Sequence, residues 1–389
     1  MKPINFFTIK IILIGYILND VFLIQLGPLF VYTFRFSLIL ALLIILFKSQ
    51  LKLNKLRNLS IYLFYFILCL SAYYGEPLLI SKFWISLLFI VIIVIPNTKI
   101  KINFYDFIES NSKYFKILWN LIVIVTVLQL LKILPEQGIG IQRSSKLFFT
   151  FYERFDFSEF LVLITHIVLR KKNQNYVLPL TFLLIIITGS FSGLILASTL
   201  FFRLNLKIKN LLKLIIVGVL VFVSFQNSKS FIFSKIEATN RESRIEGNFG
   251  ENLLETNWRL LSSAIIITEF INNPTLIGRG INNNAALVKP YYWNSDPEVL
   301  ATSHTFIAIL WDQGIIGFLA FIFVMFKLFK IFRNSVRRNR NDWILFFLSF
   351  SIMVRFLLYH QSQISFSLIL LLIILNNEKY INNNVRISS

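Results

Sequence analysis

Long apolar stretches recur along almost the whole chain and are separated by short polar connections. A helix needs about 20 mostly apolar residues to cross the hydrocarbon core of a bilayer, with a range of about 17 to 25. Apolar stretches of this kind predict a series of membrane-spanning helices. They lie near residues 7–25, 29–47, 58–74, 79–96, 116–134, 157–170, 176–203, 212–227, 305–328, 343–359 and 362–376.

The segment 176–203 is long for one crossing and short for two, and the basic clusters between spans decide how it is interpreted. Cytoplasmic connections are enriched in Lys and Arg. With the N-terminus inside, the later clusters also fall inside only if 176–203 crosses twice, as two short helices that meet near 189–193. The clusters are Lys48, Lys52, Lys55 and Arg57; Lys99, Lys101, Lys113 and Lys116; Arg170, Lys171 and Lys172; Arg203, Lys207, Lys209 and Lys213; and Lys327, Lys330, Arg333, Arg337, Arg338 and Arg340.

The sequence therefore predicts an all-α fold, a polytopic transmembrane helical bundle of about twelve spans with both ends in the cytoplasm. Residues 1–227 hold the N-terminal transmembrane helices, about nine spans. Residues 228–302 form one large outer loop that contains helices, among them a predicted helix over 257–272 that stops before Pro274. Residues 303–389 hold the C-terminal transmembrane helices, about three spans, and a cytoplasmic tail.

Composition and charge agree with a membrane protein. The chain is 56% hydrophobic, more than one soluble core of 389 residues could bury. Its net charge of +20 comes from Lys and Arg in short clusters between apolar stretches, which favours a positive-inside topology over nucleic-acid binding. A single cysteine, Cys69, excludes an intrachain disulfide.

Two arginines of the outer loop are candidates for binding phosphate. Arg259 follows Asn257 and Trp258 at the start of the predicted loop helix, and Arg279 stands between Gly278 and Gly280. An Arg side chain offers a planar fork of donors that keeps its charge, so it suits phosphate and diphosphate. The alternative is a solvated loop arginine, and the glycines beside Arg279 favour the functional interpretation at that position.

A second candidate place is the start of the span at 305. His304 would be partly desolvated there and could act as a base toward a hydroxyl near neutral pH, although a histidine at a helix end can also face lipid headgroups. Asp312 would lie about two turns deeper, where an acid should be paired or functional. Gly314 and Gly317, a little further on, are interpreted as sites of close helix packing.

A third place is the predicted outer connection 135–156, which carries Arg143 and Arg154 together with Lys146 and Glu153. Cations and aromatic side chains suit an anionic lipid headgroup and a sugar face, and they equally suit an ordinary interface belt. Weaker candidates complete the set: Asp20, Glu159, His166 and Arg355. Of these, His166 is interpreted as structural.

No glycine-rich phosphate loop, metal-ligand spacing or large cytoplasmic loop is present in the sequence. The sequence therefore predicts neither a cofactor nor a metal site. Any reaction would have to draw its energy from an already activated substrate.

Read together, these residues resemble the bacterial O-antigen polymerase and O-antigen ligase superfamily. The resemblance is strongest over about 257–325, with an Asn-Trp-Arg helix start, a Pro-x-x-x-Gly-Arg-Gly turn, a Ser-His-Thr sequence at 303–305 and a Gly-x-x-Gly pair at 314–317. Weaker similarity extends to Arg143 and to residues 189–193, which connect the two short predicted helices. One departure lies in this connection. Ligases commonly carry an arginine after its serine, whereas here Phe191 follows Ser190, so polymerase is favoured over ligase.

The resemblance implies a polytopic lipid-dependent glycosyltransferase of the bacterial inner membrane whose active site faces the periplasm. Such an enzyme moves a glycan from undecaprenyl diphosphate to a hydroxyl group. On this comparison Arg279, Arg259, Arg143 and Arg154 bind the diphosphate and His304 activates the acceptor, with Asp312 in support. A chain-length regulator and a flippase of the same pathway are the implied protein partners.

Two other functions stay open, as does a purely structural membrane subunit, in which Arg279 and His304 would be freely replaceable. A ligase would transfer the finished glycan to lipid A-core. A flippase or other transporter would place charged residues deep in several spans, and the sequence predicts that Asp312 is nearly alone at such depth.

Overall fold

The computed structural model describes thirteen stretches of the chain, most of them helical. They are residues 6–17, 23–26, 29–48, 59–74, 79–97, 104–133 except 132, 154–170, 176–188, 191–203, 258–281, 305–337, 343–358 and 367–375, together with the single residues 283 and 287. The predicted loop residues 228–257 and the predicted span 212–227 lie outside these stretches.

Helices dominate the described residues, which confirms the predicted helical class. They are α1 (Phe6–Ile17), α2 (Thr33–Lys48), α3 (Leu59–Tyr74), α4 (Leu79–Asn97), α5 (Phe104–Ser110), α6 (Ser112–Leu130), α7 (Arg154–Val168), α8 (Val177–Thr188), α9 (Phe191–Arg203), α10 (Trp258–Asn272), α11 (Thr305–Arg337) and α12 (Trp343–Leu358). Residues 367–375 are also helical.

The first two predicted spans need correction. Residues 7–25 and 29–47 were expected to be continuous helices, but a short antiparallel hairpin lies between α1 and α2. Its strands are β1 (Leu23–Leu26) and β2 (Leu29–Tyr32), with Leu26 paired to Leu29. In the sequence Gly27-Pro28 stands between the two strands, and such a pair favours a reversal over a helix.

The division of 176–203 into two short helices is confirmed, because α8 ends at Thr188 and α9 begins at Phe191. The loop helix predicted over 257–272 is also confirmed as α10. Pro274 follows its last residue closely, as expected of a residue that cannot continue a helix.

Two described helices, α6 and α11, are long and apolar enough to cross a membrane. In each, only 28% of the most apolar 18-residue segment is buried, so most of its side chains are exposed or half-buried. The core helix of a soluble protein would be mostly buried, and these two helices therefore favour membrane association. The number of about twelve spans stays a prediction.

Aromatic packing joins α3, α11 and α12. Phe64, Phe321 and Phe356 contribute one ring from each helix, and each pair of ring centroids lies 5.9 Å apart. A chain of buried polar side chains joins α6, α7 and α8. Trp119 Nε1 donates to Thr165 Oγ1 at 3.1 Å, and Thr165 and Thr181 share a hydrogen bond of 2.9 Å.

Candidate functional site

Helix α11 is broken at Gly314, close to its outer end in the predicted topology. Gly314 has φ 69° and ψ −168°, a conformation that is essentially confined to glycine. The predicted role of Gly314 in close helix packing is therefore incomplete, since its backbone also interrupts the helix. A break of this kind leaves carbonyl groups before it and N–H groups after it without helical partners.

The chain that follows α10 fills this break. We call residues 273–281 the docking loop and its contact with α11 the junction. Four backbone hydrogen bonds form the junction: Arg279 N to Trp311 O (3.2 Å), Gly280 N to Asp312 O (2.9 Å), Ile315 N to Thr275 O (3.1 Å) and Ile316 N to Leu276 O (3.1 Å). The docking loop therefore replaces the helical hydrogen bonds that the break removes.

Two glycines allow the backbones to approach at the junction. A Cβ atom on Gly278 would lie 2.4 Å from the backbone carbon of Gln313, and one on Gly314 would lie 2.4 Å from the backbone nitrogen of Gly278. Gly278 also has a positive φ of 85°. Both space and backbone conformation therefore exclude larger residues at these positions.

Helix α3 fixes the junction from a third side. Ser71 Oγ donates to Asp312 O at 2.7 Å, and Ser71 O accepts from Ile281 N at 3.2 Å. One serine therefore contacts both the broken helix and the docking loop. Arg279 and Asp312, which the sequence predicted as site residues, meet at this junction, where Asp312 is fully buried.

The side chain of Arg279 is held from two directions. Its guanidinium carbon lies 3.7 Å from the ring centroid of Trp311, and its Nη2 donates to Asn273 O at 2.8 Å. Its Nη1 is buried and has no hydrogen-bond partner among the described residues. Arginine stacked on tryptophan is a favourable cation–π arrangement, and the orientation leaves one donor nitrogen unused.

The remaining predicted site residues are not described at the level of side chains. His304 and Arg143 lie outside the described residues. Arg154 and Arg259 belong to the first turns of α7 and α10, but their side chains are not described.

A buried ionic cluster on α7 and α12 was not predicted as a unit. Arg355 Nη2 donates to Glu159 Oε2 at 2.8 Å and to Asp156 Oδ1. Glu159 Oε1 accepts from Ser351 and, at 2.6 Å, from Ser367. Glu159 and Arg355 are buried inside the bundle as Asp312 is, at 1% and 6% exposure. The expectation that Asp312 is nearly alone in membrane depth stays a prediction.

The ionic cluster and the junction are separate places in the bundle. On α3, Ser71 contacts the junction, whereas Phe64 packs on Phe356, the neighbour of Arg355. Ser71 lies seven positions after Phe64 on the helix, which corresponds to about 10 Å along the axis.

One feature of the sequence does indicate the ionic cluster. Asp156 and Glu159 are three positions apart, which places both acids on one helix face.

His166, which was interpreted as structural, is fully buried inside the bundle. Its Nε2 shares a hydrogen bond of 2.9 Å with Thr199 Oγ1, and its ring lies 5.3 Å from that of Phe347. Among the described residues, no group of three His, Cys, Asp or Glu is arranged to hold a metal ion.

Comparison with the models of known protein families and with curated proteins gives no match.

Proposed function

We propose that the chain is a surface-polysaccharide polymerase of the bacterial inner membrane. It would move a glycan chain from undecaprenyl diphosphate onto the next lipid-linked repeat unit at the periplasmic face. The proposal rests on the resemblance over 257–325 and on one structural observation, the fixed guanidinium of Arg279 with its unused Nη1.

The observation supports this chemistry because the leaving group is a diphosphate. Negative charge grows on the diphosphate as the glycosidic bond breaks, and cations that are already in place stabilise that charge without reorganisation. Stacking on Trp311 and the hydrogen bond to Asn273 O fix the guanidinium of Arg279 before any ligand arrives. In this proposal Arg259, Arg143 and Arg154 supply further cations, and His304 accepts the proton of the attacking hydroxyl.

The surface-glycan ladder of a deletion strain tests the proposal. The strain would be complemented with wild type, Arg279→Ala or, as a matched control, Arg333→Ala, since Arg333 is exposed at the other end of α11. We expect the deletion and Arg279→Ala to give lipid A-core that carries a single repeat unit, and Arg333→Ala to give the full ladder. The change at Arg279 should reduce long chains at least tenfold, because a hydrogen bond to a charged group contributes about 1.5–3 kcal/mol.

Other ladders would overturn the proposal. Bare core together with long lipid-linked chains would identify a ligase. An unchanged ladder with Arg279→Ala, with the protein present in the membrane, would remove Arg279 from the site.

A transporter of lipid-linked oligosaccharide is the second candidate, and the buried ionic cluster favours it. Charged residues inside a membrane bundle often mark a pathway for ions or substrates. Loss of a flippase would give bare core with no lipid-linked repeat units on the periplasmic side. The same deletion strain therefore separates a flippase from both a polymerase and a ligase.

A further inference from the structure

Three buried polar side-chain atoms near the junction lack hydrogen-bond partners among the described residues. They are Arg279 Nη1, Trp311 Nε1 and Thr275 Oγ1. Most buried polar atoms in folded proteins have a partner, and each exception requires an explanation. A ligand that brings its own acceptor atoms would explain all three.

The three atoms belong to side chains that are close in the structure. The indole nitrogen is part of the Trp311 side chain on which the Arg279 guanidinium stacks, at 3.7 Å from the ring centroid. Thr275 lies between Asn273 and Arg279 in the docking loop, and Arg279 Nη2 reaches back across that turn to Asn273 O. Thr275 O also accepts from Ile315 N, which places Thr275 directly beside the break in α11.

The chemistry of the three groups selects the class of ligand. Guanidinium and indole N–H groups can only donate, while a hydroxyl can donate or accept. These three side chains thus supply a positive charge and an excess of donors, which suits an oxyanion. Trp311 itself is only 4% exposed, so a ligand bound there would be largely removed from water.

We propose that Trp311 and Thr275 are anion-binding residues that complete, with Arg279, a three-donor site for a phosphate or diphosphate group. The inference rests on the proposed function only in naming the diphosphate of the lipid-linked donor as the natural ligand. In addition to stacking, Trp311 would donate its indole N–H to a phosphate oxygen, and Thr275 would donate its hydroxyl.

Two substitutions remove the donors and keep side chains of related shape at both positions. Trp311→Phe keeps an aromatic face beneath Arg279 and loses the N–H donor together with some ring volume, a loss of volume that the Trp343→Phe control shares. Thr275→Val keeps the branched shape and loses only the hydroxyl. Trp343→Phe is the matched control, because Trp343 packs against Phe346 at the start of α12, away from the junction.

Binding would be measured by calorimetry on the purified full chain in lipid nanodiscs, with inorganic diphosphate and, separately, farnesyl diphosphate as probes. We expect Trp311→Phe and Thr275→Val each to weaken binding about tenfold, as for the loss of one charge-assisted hydrogen bond. Trp343→Phe should bind like wild type. Tighter binding of farnesyl diphosphate than of inorganic diphosphate would identify a lipid-linked ligand, and equal binding a free anion.

Two results would overturn the inference, and they differ in what they imply for the proposed function. If Arg279→Ala abolishes binding while both donor variants bind like wild type, Trp311 and Thr275 are structural and the proposed function stands. If the wild-type chain binds neither probe, the junction is not an anion site, and the proposed function loses its structural support as well. Thermal unfolding of each variant shows whether a loss of binding comes from misfolding. If one donor variant is misfolded, binding by the other donor variant tests the inference.

Discussion

Glu159 illustrates at the scale of one residue how the bundle accommodates charge. Its two oxygens accept from Arg355, Ser351 and Ser367, and the side chain is almost completely buried. With Asp156 the cluster contains two acids and one base, so its formal charge is −1. An unpaired charge in such a place is costly, whereas a paired and hydrogen-bonded charge is tolerated.

This charge balance predicts that substitutions of the acid and of the base in the ionic cluster differ in their cost to stability. Glu159→Gln leaves an Arg355–Asp156 pair with no net charge, so its cost should be small, about 1 kcal/mol. Arg355→Met leaves the buried Glu159 and the half-buried Asp156 without a cation and should cost about 3–5 kcal/mol. Thermal unfolding in detergent measures both.

Glu109→Gln is the matched control, because Glu109 is exposed on α5 and its substitution should leave the unfolding temperature unchanged. An equal loss of stability in Glu159→Gln and Arg355→Met would contradict the charge argument.

The sequence could identify single residues of the site better than their partners. Arg279 and Asp312 were predicted from local context, from flanking glycines and from an acid within an apolar stretch. The sequence contains no local sign that Arg355 pairs with acids almost two hundred positions earlier, because that contact depends on the packing of α7 against α12. Long-range pairing of this kind requires the fold.

The central feature at the scale of elements is the broken helix α11. A glycine inside an apolar helix is compatible with close packing, with a break or with both, and the local sequence does not separate these outcomes. At Gly314 the docking loop determines the outcome, because its backbone supplies hydrogen-bond donors and acceptors to the broken ends of the helix. Helices α8, α9 and α10 were easier to predict, since charge clusters and Pro274 mark their boundaries.

Substitution at the break should undock the loop. Gly314→Ala would place a Cβ atom 2.4 Å from Gly278 N and require a strained positive φ. Strain of this kind costs about 1–3 kcal/mol, and the clash adds to it. We expect faster cleavage of the docking loop by protease and a lower unfolding temperature.

Leu319→Ala tests whether the effect is specific to the break. Leu319 lies on α11 with its side chain 49% exposed, so its truncation should change loop cleavage little. Cleavage of Gly314→Ala at the wild-type rate would show that the docking loop does not depend on the break.

At the scale of the whole molecule, many large apolar side chains face outward as well as into the core, and several polar side chains are buried. On α11, Phe323 and Phe326 are 63% and 70% exposed, while Asp312 and Gln313 are fully buried. A soluble protein would hide such phenylalanines, whereas a lipid environment favours their exposure. This distribution supports the membrane location more directly than composition does, because composition says nothing about which face a residue occupies.

The predicted topology can be tested with the single cysteine of the chain. Cys69→Ala removes it, and single cysteines can then replace residues that the topology places on opposite sides. Cysteines at Lys113 and Arg170 should react with an impermeant maleimide only after the cells are permeabilised, because basic connections stay in the cytoplasm. Cysteines at Tyr74 and Asn273, both exposed, should react in intact cells once the outer membrane is made permeable.

These positions also decide where the junction lies. If Asn273→Cys reacts only after both membranes are permeabilised, the docking loop faces the cytoplasm, and Arg279 could not serve a periplasmic glycan. If Arg170→Cys reacts in intact cells while Lys113→Cys does not, the predicted even number of crossings between Lys113 and Arg170 is wrong. The expected pattern would require the chain to cross an odd number of times between Arg170 and Asn273, which is the condition for a periplasmic diphosphate site at the junction.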